Sequence, residues 1–315
     1  MGAQPAAGRP PVIAVIGMAT ADYLYVLDEY PEADSVTPAL EHQTVAGGLG
    51  GRGAVAARRL GGEVRLLASC GTGEHARVLQ DHLESEGVAC TWAVYERPSQ
   101  HSAVILAKAH ATRTIIWLPQ PMADERMVSL LPEVLAGADV ALLDATDEAL
   151  VRAALDECER RGVTTVLDTG SGRPWTPSLL SRSDHVIAPE KFVRRLTASA
   201  PEQAAVELWA DSCRAVFGIT RGPQGGVFAA GGDPERLGRW AAAPVVAVDS
   251  CGAGDTFHGA YAWALAAGRP PAECFAVASW SAALKCTRLG NAGVPTLPQL
   301  EAARAAAASG EPTRA

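Results

Sequence analysis

The sequence predicts an α/β fold: a doubly wound sheet covered by helices, accompanied by a smaller sheet. Two observations carry this. From Asp124 to Ile219, segments with helical and strand-like apolar spacing alternate, which argues for parallel strands joined by crossover helices. In the first half, two stretches rich in Tyr, Val, Ile and Thr, about residues 23–46 and 92–118, interrupt that alternation and can pair with each other as a small separate sheet. A chain of 315 residues, 48% hydrophobic, is long enough for one large domain. That domain is expected over residues 12–310, between a proline-rich disordered leader (1–11) and a frayed tail (311–315).

The elements follow in order. Val12-Ile-Ala-Val-Ile-Gly17 is a buried first strand ending in glycine. Tyr23 to Val45 alternates loosely around a Pro31–Ser35 turn. Gly51 to Leu60 reads as a helix stopped by Gly61-Gly62, and Val64–Ala68 as the next strand. Glu74–Gly87 carries Val78, Leu79, His82 and Leu83 on one helical face. Trp92–Val94, Ser102–Ala107 and Thr114–Leu118 are strand-like. Beyond Asp124 come a helix to Leu135, strand Val140–Leu143, helix Asp147–Arg161, strands Val163–Leu167 and His185–Ala188, helices across Lys191–Asp211, and strand Ala215–Ile219. Pro244–Val248 is apolar and β-branched, suiting a strand that ends at Asp249. Helices near 252–267, 271–287 and 298–308 complete the chain.

Composition narrows the partners. A formal net charge of −8 leaves no basic footprint for nucleic acid or an anionic membrane, so a small molecule is the expected partner. No run approaches the ~20 apolar residues that span a bilayer, and the first residues lack the apolar core of a secretory signal, so a cytoplasmic protein is expected. Seven cysteines, odd in number and without a CxxC pair, indicate neither a zinc site nor a disulfide framework. With only Lys108, Lys191 and Lys285 present, there is no GxxxxGK[ST] phosphate loop.

The richest segment is Asp249-Ser-Cys-Gly-Ala-Gly-Asp-Thr-Phe-His-Gly-Ala260. At a glycine-rich turn opening a helix, the N–H groups of Gly252, Ala253 and Gly254 have no intrahelical acceptor and lie at the positive end of the helix dipole, a place that favours a phosphate or oxyanion. Asp255 then sits beside that anion on the first turn. A carboxylate that merely caps the helix is the plainer alternative. Gly48-Leu-Gly-Gly-Arg-Gly53 matches GxGxxG, but it does not follow the first strand, and Ala68-Ser-Cys70 closes the following strand without a ribose-binding acid. A glycine-rich wall of a substrate pocket, including Gly47 and Gly48, accounts for it better.

The Asp249–Ala260 segment resembles the DTxGAGD signature of the ribokinase family of sugar and nucleoside kinases, also called the PfkB family. Ala46–Gly62 resembles its N-terminal glycine-rich motif, and Ile219-Thr-Arg-Gly-Pro-Gln-Gly-Gly226 its TxGxxG nucleotide loop. Ala283–Gly290 is similar to the end of ketohexokinases and, more closely, of sulfofructose kinases. The resemblance implies a ribokinase-like three-layer α/β/α domain with a small β-sheet lid that also forms a homodimer contact in several relatives. It implies transfer of the ATP γ-phosphoryl group to an alcohol, with Asp255 as general base, the Gly252–Gly254 amides as anion hole and Asp22 binding sugar hydroxyls. Thr220, Gly222 and Gly225 would approach the ATP, and Ser279 and Asn291 would line the adenine or cation region. Asp249 corresponds to the monovalent-cation loop of potassium-activated members, so K+ joins Mg2+ among the implied ions.

Two departures qualify the resemblance. Many relatives carry asparagine for a sugar hydroxyl where this chain has Arg52, a fixed charge that accepts no hydrogen bond. Arg52 therefore points to a different or anionic substrate, unless it lies on the solvent side of its helix; the acceptor expected overall is a sugar, a ketose or a modified sugar among them. The family's NxxE magnesium element aligns with Pro189-Glu-Lys-Phe192, leaving Glu190 to act through water. Arg173, in a segment similar to DPNxRP, is placed at the site rim. Val36, Trp117 and Thr146 stand where a sulfonate-binding member would offer polar or cationic groups. Two other readings remain: a nucleoside or hydroxymethylpyrimidine kinase, with Tyr23, Trp92 or Trp117 clamping a base, and a non-catalytic ligand-binding or regulatory protein.

Overall fold

The computed structural model describes residues 9–110, 112–118, 124–212, 215–231 and 237–309. Most of the expected leader, the expected tail and Cys213 lie outside the described residues. Arg9–Pro11 are held in place: Arg9 donates to the Asp139 carboxylate, and the Pro11 carbonyl accepts from Glu63 N at 2.8 Å.

The chain begins with β1 (Val12–Ile16), β2 (Thr20–Leu27) and β3 (Glu41–Gly47). A π-helical turn (Leu49–Gly53) leads into α1 (Ala54–Arg59), β4 (Glu63–Thr72), α2 (Glu74–Ser85), β5 (Ala89–Pro98), β6 (His101–Ala107) and β7 (Thr112–Trp117). Next come α3 (Glu125–Val134), β8 (Val140–Asp144), α4 (Glu148–Arg161), β9 (Thr164–Asp168), α5 (Pro177–Leu180), β10 (His185–Pro189), α6 (Glu190–Val193) and α7 (Pro201–Ser212). The last elements are β11 (Val216–Thr220), β12 (Gly226–Ala230), β13 (Leu237–Trp240), α8 (Ala253–Ala266), α9 (Pro271–Cys286) and α10 (Leu297–Ala308).

The large sheet has the order β13-β12-β11-β10-β9-β8-β1-β4-β5. Pairing is parallel from β5 to β11 and antiparallel through β12 and β13. Strand β1, VIAVI, is buried along its whole length, as a β-branched run between two helical layers should be. On one face, α1, α2, α8, α9 and α10 pack around Leu66, Tyr261 and Phe275. On the other, α3 to α7 pack around Leu67, Leu143 and Phe217. Asp124 and Asp147 cap α3 and α4 by accepting backbone N–H bonds, and Thr296 and Gln299 form a capping box on α10. Among the described residues, no helix is long and apolar enough to cross a membrane.

The small sheet has the order β3-β2-β6-β7. Its inner face, Leu24, Val26, Val45, Val104 and Leu106, packs on Cys251 of the turn before α8, so lid and turn share one apolar contact.

Three sequence expectations are corrected. Trp92–Val94 belongs to β5, which pairs parallel with β4 at the edge of the large sheet, because Cys90 and Trp92 pack against the main core. The small sheet therefore takes residues 20–47 and 101–117. Pro244–Val248 is not a strand: the N–H groups of Val248 and Asp249 both go to the Cys286 carbonyl, no strand among the described residues pairs with it, and Val246 is 86% exposed. β-Branched residues form a strand only where a partner edge exists. The β12–β13 hairpin, absent from the sequence reading, makes one edge of the otherwise parallel sheet antiparallel.

Candidate active site

Strand order reverses at the β1–β8 pair, and in open α/β sheets the crevice outside the carboxyl ends of the strands at such a point holds ligands. Met18 N, just past β1, donates to Asp144 Oδ2 at the end of β8 (3.1 Å). Helix α8 packs across β8 and β1 and presents Asp255 on its first turn.

Arg52 is the pivot of the site. It is 2% exposed, so the solvent-facing reading does not hold. Its Nη2 donates to Asp22 Oδ2 at 2.9 Å, its Nε to Asn291 Oδ1 at 3.1 Å, and its Nη1 lies 3.5 Å from Asp255 Oδ2. Burial works against the guanidinium charge, and Cys251, Asp22, Asp255 and Asp249 outweigh it, raising its pKa. Asp22 accepts on Oδ1 from Thr20 Oγ1 and Ser102 Oγ, both at 2.7 Å. A β-carbon at Gly47 would overlap the Asp22 carboxylate, and one at Gly252 would overlap Arg52. Gly252, the N-cap of α8, has φ +76°, so both its backbone and its missing side chain are required here. The N–H of Ala253, expected to be open to a ligand, lies 3.4 Å from the Ser250 carbonyl. The Asp255 side chain is 25% exposed; burial raises its pKa, Arg52 pulls it down and Asp168 pushes it up.

Asn291, expected to line the adenine or cation region, follows Gly290, whose N–H bonds Asp249. Its amide donates to the Ala46 carbonyl at 3.0 Å and lies 3.2 Å from His82 Nε2, which places it beside Arg52 and the glycine-rich wall. Asp249 is buried; Oδ1 accepts from Cys251 N (2.8 Å), and Oδ2 accepts from Gly290 N (3.0 Å) and Lys285 Nζ (2.7 Å).

Farther across the same carboxyl edge of the sheet, Thr220 closes β11 in register with Pro189 of β10. Gly222 and Gly225 bracket a 3-10 turn, with Gly225 N bonded to the Gly222 carbonyl at 3.0 Å. Gly225 lies against the backbone of Trp240–Ala242, and Ser279 Oγ donates to the Ala241 carbonyl at 3.0 Å, so Thr220, Gly222, Gly225 and Ser279 share one neighbourhood. Glu190 opens α6 nearby, paired with Arg194 at 2.8 Å and 3.9 Å from Arg221 Nε.

Several residues escaped the sequence reading. Asp144 and Asp168 end β8 and β9; the Asp144 pKa is pushed up to about 8 by burial, then by Asp168. His258 Nδ1 lies 3.4 Å from Asp168 Oδ2. Beside Asp22, Tyr23 OH bonds His75 Nδ1 at 2.6 Å, and the His75 and His101 rings stack at 3.9 Å. An acid ending each of two adjacent parallel strands was a usable signal; the histidines, distant in sequence, offered none.

The fold and this crevice define a kinase of small hydroxylated molecules. Residues 12–297 match the family described as pfkB family carbohydrate kinase, and the chain belongs to that family, making it a phosphotransferase. It is 25% identical over 296 residues to the ribokinase of Bacillus subtilis, covering 92% of this chain and 98% of that one. It is 26% identical to a 2-dehydro-3-deoxygalactonokinase of Haloferax volcanii over 86% and 91% of the two chains. A crystal structure from Agrobacterium tumefaciens, provisionally assigned as a ribokinase, superposes with a TM-score of 0.86 at 26% identity, covering 96% of this chain and 99% of that one. The Arabidopsis thaliana ribokinase solved with ribose and ATP shares the fold, with a TM-score of 0.77 at 24% identity over 93% and 98% of the chains.

Proposed function

We propose that the protein transfers the γ-phosphoryl group of ATP to a hydroxyl of a neutral sugar, with Asp255 as general base. One observation carries this reading: Asp255 stands partly open on the first turn of α8, beside the Gly252 cap and across Arg52 from Asp22. The acceptor hydroxyl gives its proton to Asp255 as its oxygen attacks the γ-phosphorus in line and the bond to the leaving ADP oxygen breaks, while the amides of Gly252 and Gly254 stabilise charge on the phosphoryl oxygens. Burial raises the pKa of Asp255 and so strengthens it as a base.

ATP is read into the Thr220–Gly225 loop beside Ser279. Mg2+ arrives with the phosphates, whose charge it neutralises. Glu190, paired with Arg194 and near Arg221 beside the proposed loop, is read as the carboxylate that would act on the ion's water shell.

Arg52 favours a neutral acceptor. Its single positive charge is matched by two carboxylates, so the Asp22–Arg52–Asp255 group is net negative and repels an anionic sugar. The nucleoside alternative loses Trp92, which packs at the edge of the large sheet. ADP release with Mg-ATP across pentoses, ketoses, sugar acids, sulfosugars and nucleosides tests the assignment. A sugar acid or nucleoside turned over faster than every neutral sugar would overturn it.

We further read the lid as a homodimer surface, because Ile115, Ile116 and Trp117 on edge strand β7 are exposed. Light scattering of an Ile116→Lys variant should show a monomer where the parent is a dimer.

A further inference from the structure

The implied monovalent-cation loop holds a lysine. Lys285, in the last turn of α9, is 0% exposed, and its Nζ donates to the Asp249 carbonyl at 2.9 Å and to Asp249 Oδ2 at 2.7 Å. Those oxygens are the kind of ligands a bare alkali cation requires. The rest of the Asp249 carboxylate is also engaged, with Cys251 N on Oδ1 and Gly290 N on Oδ2. A second positive charge here would meet oxygens already engaged by donors and the repulsion of a buried ammonium a few ångströms away. The residues therefore do not fit an added potassium ion.

An alkylammonium head carries the same charge as potassium, is close to it in size, and is fixed by its own side chain. Its position suits the same purpose. Val248 N and Asp249 N both bond the carbonyl of Cys286, the residue after Lys285, so the end of α9 is stitched to the turn that sets Gly252 and the amides of α8. We propose that Lys285 is a built-in cation which takes the place of a bound monovalent ion behind the anion hole and makes the protein independent of potassium. This rests on the reading of the Gly252–Gly254 turn as a phosphate site, and its test is chosen to need no sugar.

The test measures ADP affinity by calorimetry and thermal unfolding in tetramethylammonium chloride, with KCl or NH4Cl substituted at constant ionic strength. For the parent protein, KCl should change ADP affinity by less than about twofold. For Lys285→Met, which keeps the chain length and removes the charge, affinity should fall in tetramethylammonium and recover by about tenfold or more in KCl and NH4Cl, whose ions enter the vacated position. A parent protein whose ADP affinity rises severalfold with KCl overturns the proposal, as does a folded Lys285→Met variant that binds ADP like the parent in every salt. If Lys285→Met does not fold in tetramethylammonium, folding restored by KCl or NH4Cl supports the proposal. If it folds in no salt, the parent titration alone decides. Failure to find a sugar acceptor would sink the proposed function and leave these measurements intact.

Discussion

Arg52 Nη1 stands 3.5 Å from Asp255 Oδ2, so Arg52 forms an ion pair with the proposed base. A nearby opposite charge favours the ionised carboxylate, whereas burial disfavours it, and for Asp255 burial is the larger effect. A base must be deprotonated to act, so kcat/KM should fall as pH drops through the raised pKa of Asp255, at higher pH than an ordinary carboxylate would give. Replacing Arg52 by Met removes the downward pull and should move this acidic limb up by about one pH unit or more. Asp255→Asn should lower kcat by about 10²-fold or more at every pH. An acidic limb that stays in place in Arg52→Met would separate Arg52 from the base.

Gly252 is tested by adding one carbon. Gly252→Ala forces an L residue to φ +76° and drives its β-carbon into the Arg52 side chain. The α8 amides would tilt off the phosphoryl position, and by the scale of a lost anion-hole donor kcat should drop by about 10²-fold. Gly170→Ala, also at positive φ but with open space around it, should share the backbone penalty and retain most activity. Steady-state kinetics of the two variants, with their melting temperatures, distinguish a displaced anion hole from general instability.

Much of the fold was legible because burial writes itself into local sequence. Strands β8 to β11 read as short apolar runs, since both faces lie under helices. Where packing partners come from far away, the signal failed. Trp92 looked like a lid residue until β4 took it as a neighbour, and Val246 and Val248 looked like a strand, though Val248 N bonds the end of α9 and both side chains are exposed. In the site, Asp255, Gly252 and Asp22 stood in recognisable motifs. The pairing of Arg52 with Asp22 and of Lys285 with Asp249 spans 30 and 36 residues, and charge partners at that distance leave no periodic trace.

Asp144 should make stability fall with rising pH. Burial, then Asp168 and Asp255, push its carboxyl up to about 8, above its value in the unfolded chain. Between the ordinary carboxylate range and about 8, the folded state keeps a proton that the unfolded state has lost, so this contribution is full at low pH and lost as pH rises through that window. Asp144→Asn retains an oxygen for the Met18 N–H and removes the titration. Its melting temperature should gain on the parent's by about 2 °C or more between pH ~5 and ~8, read by calorimetry. A constant difference across that range would show that Asp144 ionises normally.

The loop proposed to hold the nucleotide lies over an aromatic stack. Phe275 of α9 lies parallel to Trp240, with ring centroids 4.3 Å apart and planes 8° from each other, and it also stacks on Phe228 at 4.6 Å. The Trp240 backbone abuts Gly225, and the next carbonyl, that of Ala241, holds Ser279, so the stack supports the proposed ATP loop from beneath. Phe275→Ala removes a fully buried ring and should cost about 3–5 kcal/mol in urea unfolding. Loosening under Gly225 should raise KM for ATP severalfold while leaving KM for the sugar nearly unchanged, because Asp22 stands on β2 of the small sheet and Arg52 is bonded to it. Equal changes in both constants would mean that the stack stabilises the whole domain without selectively supporting the nucleotide loop.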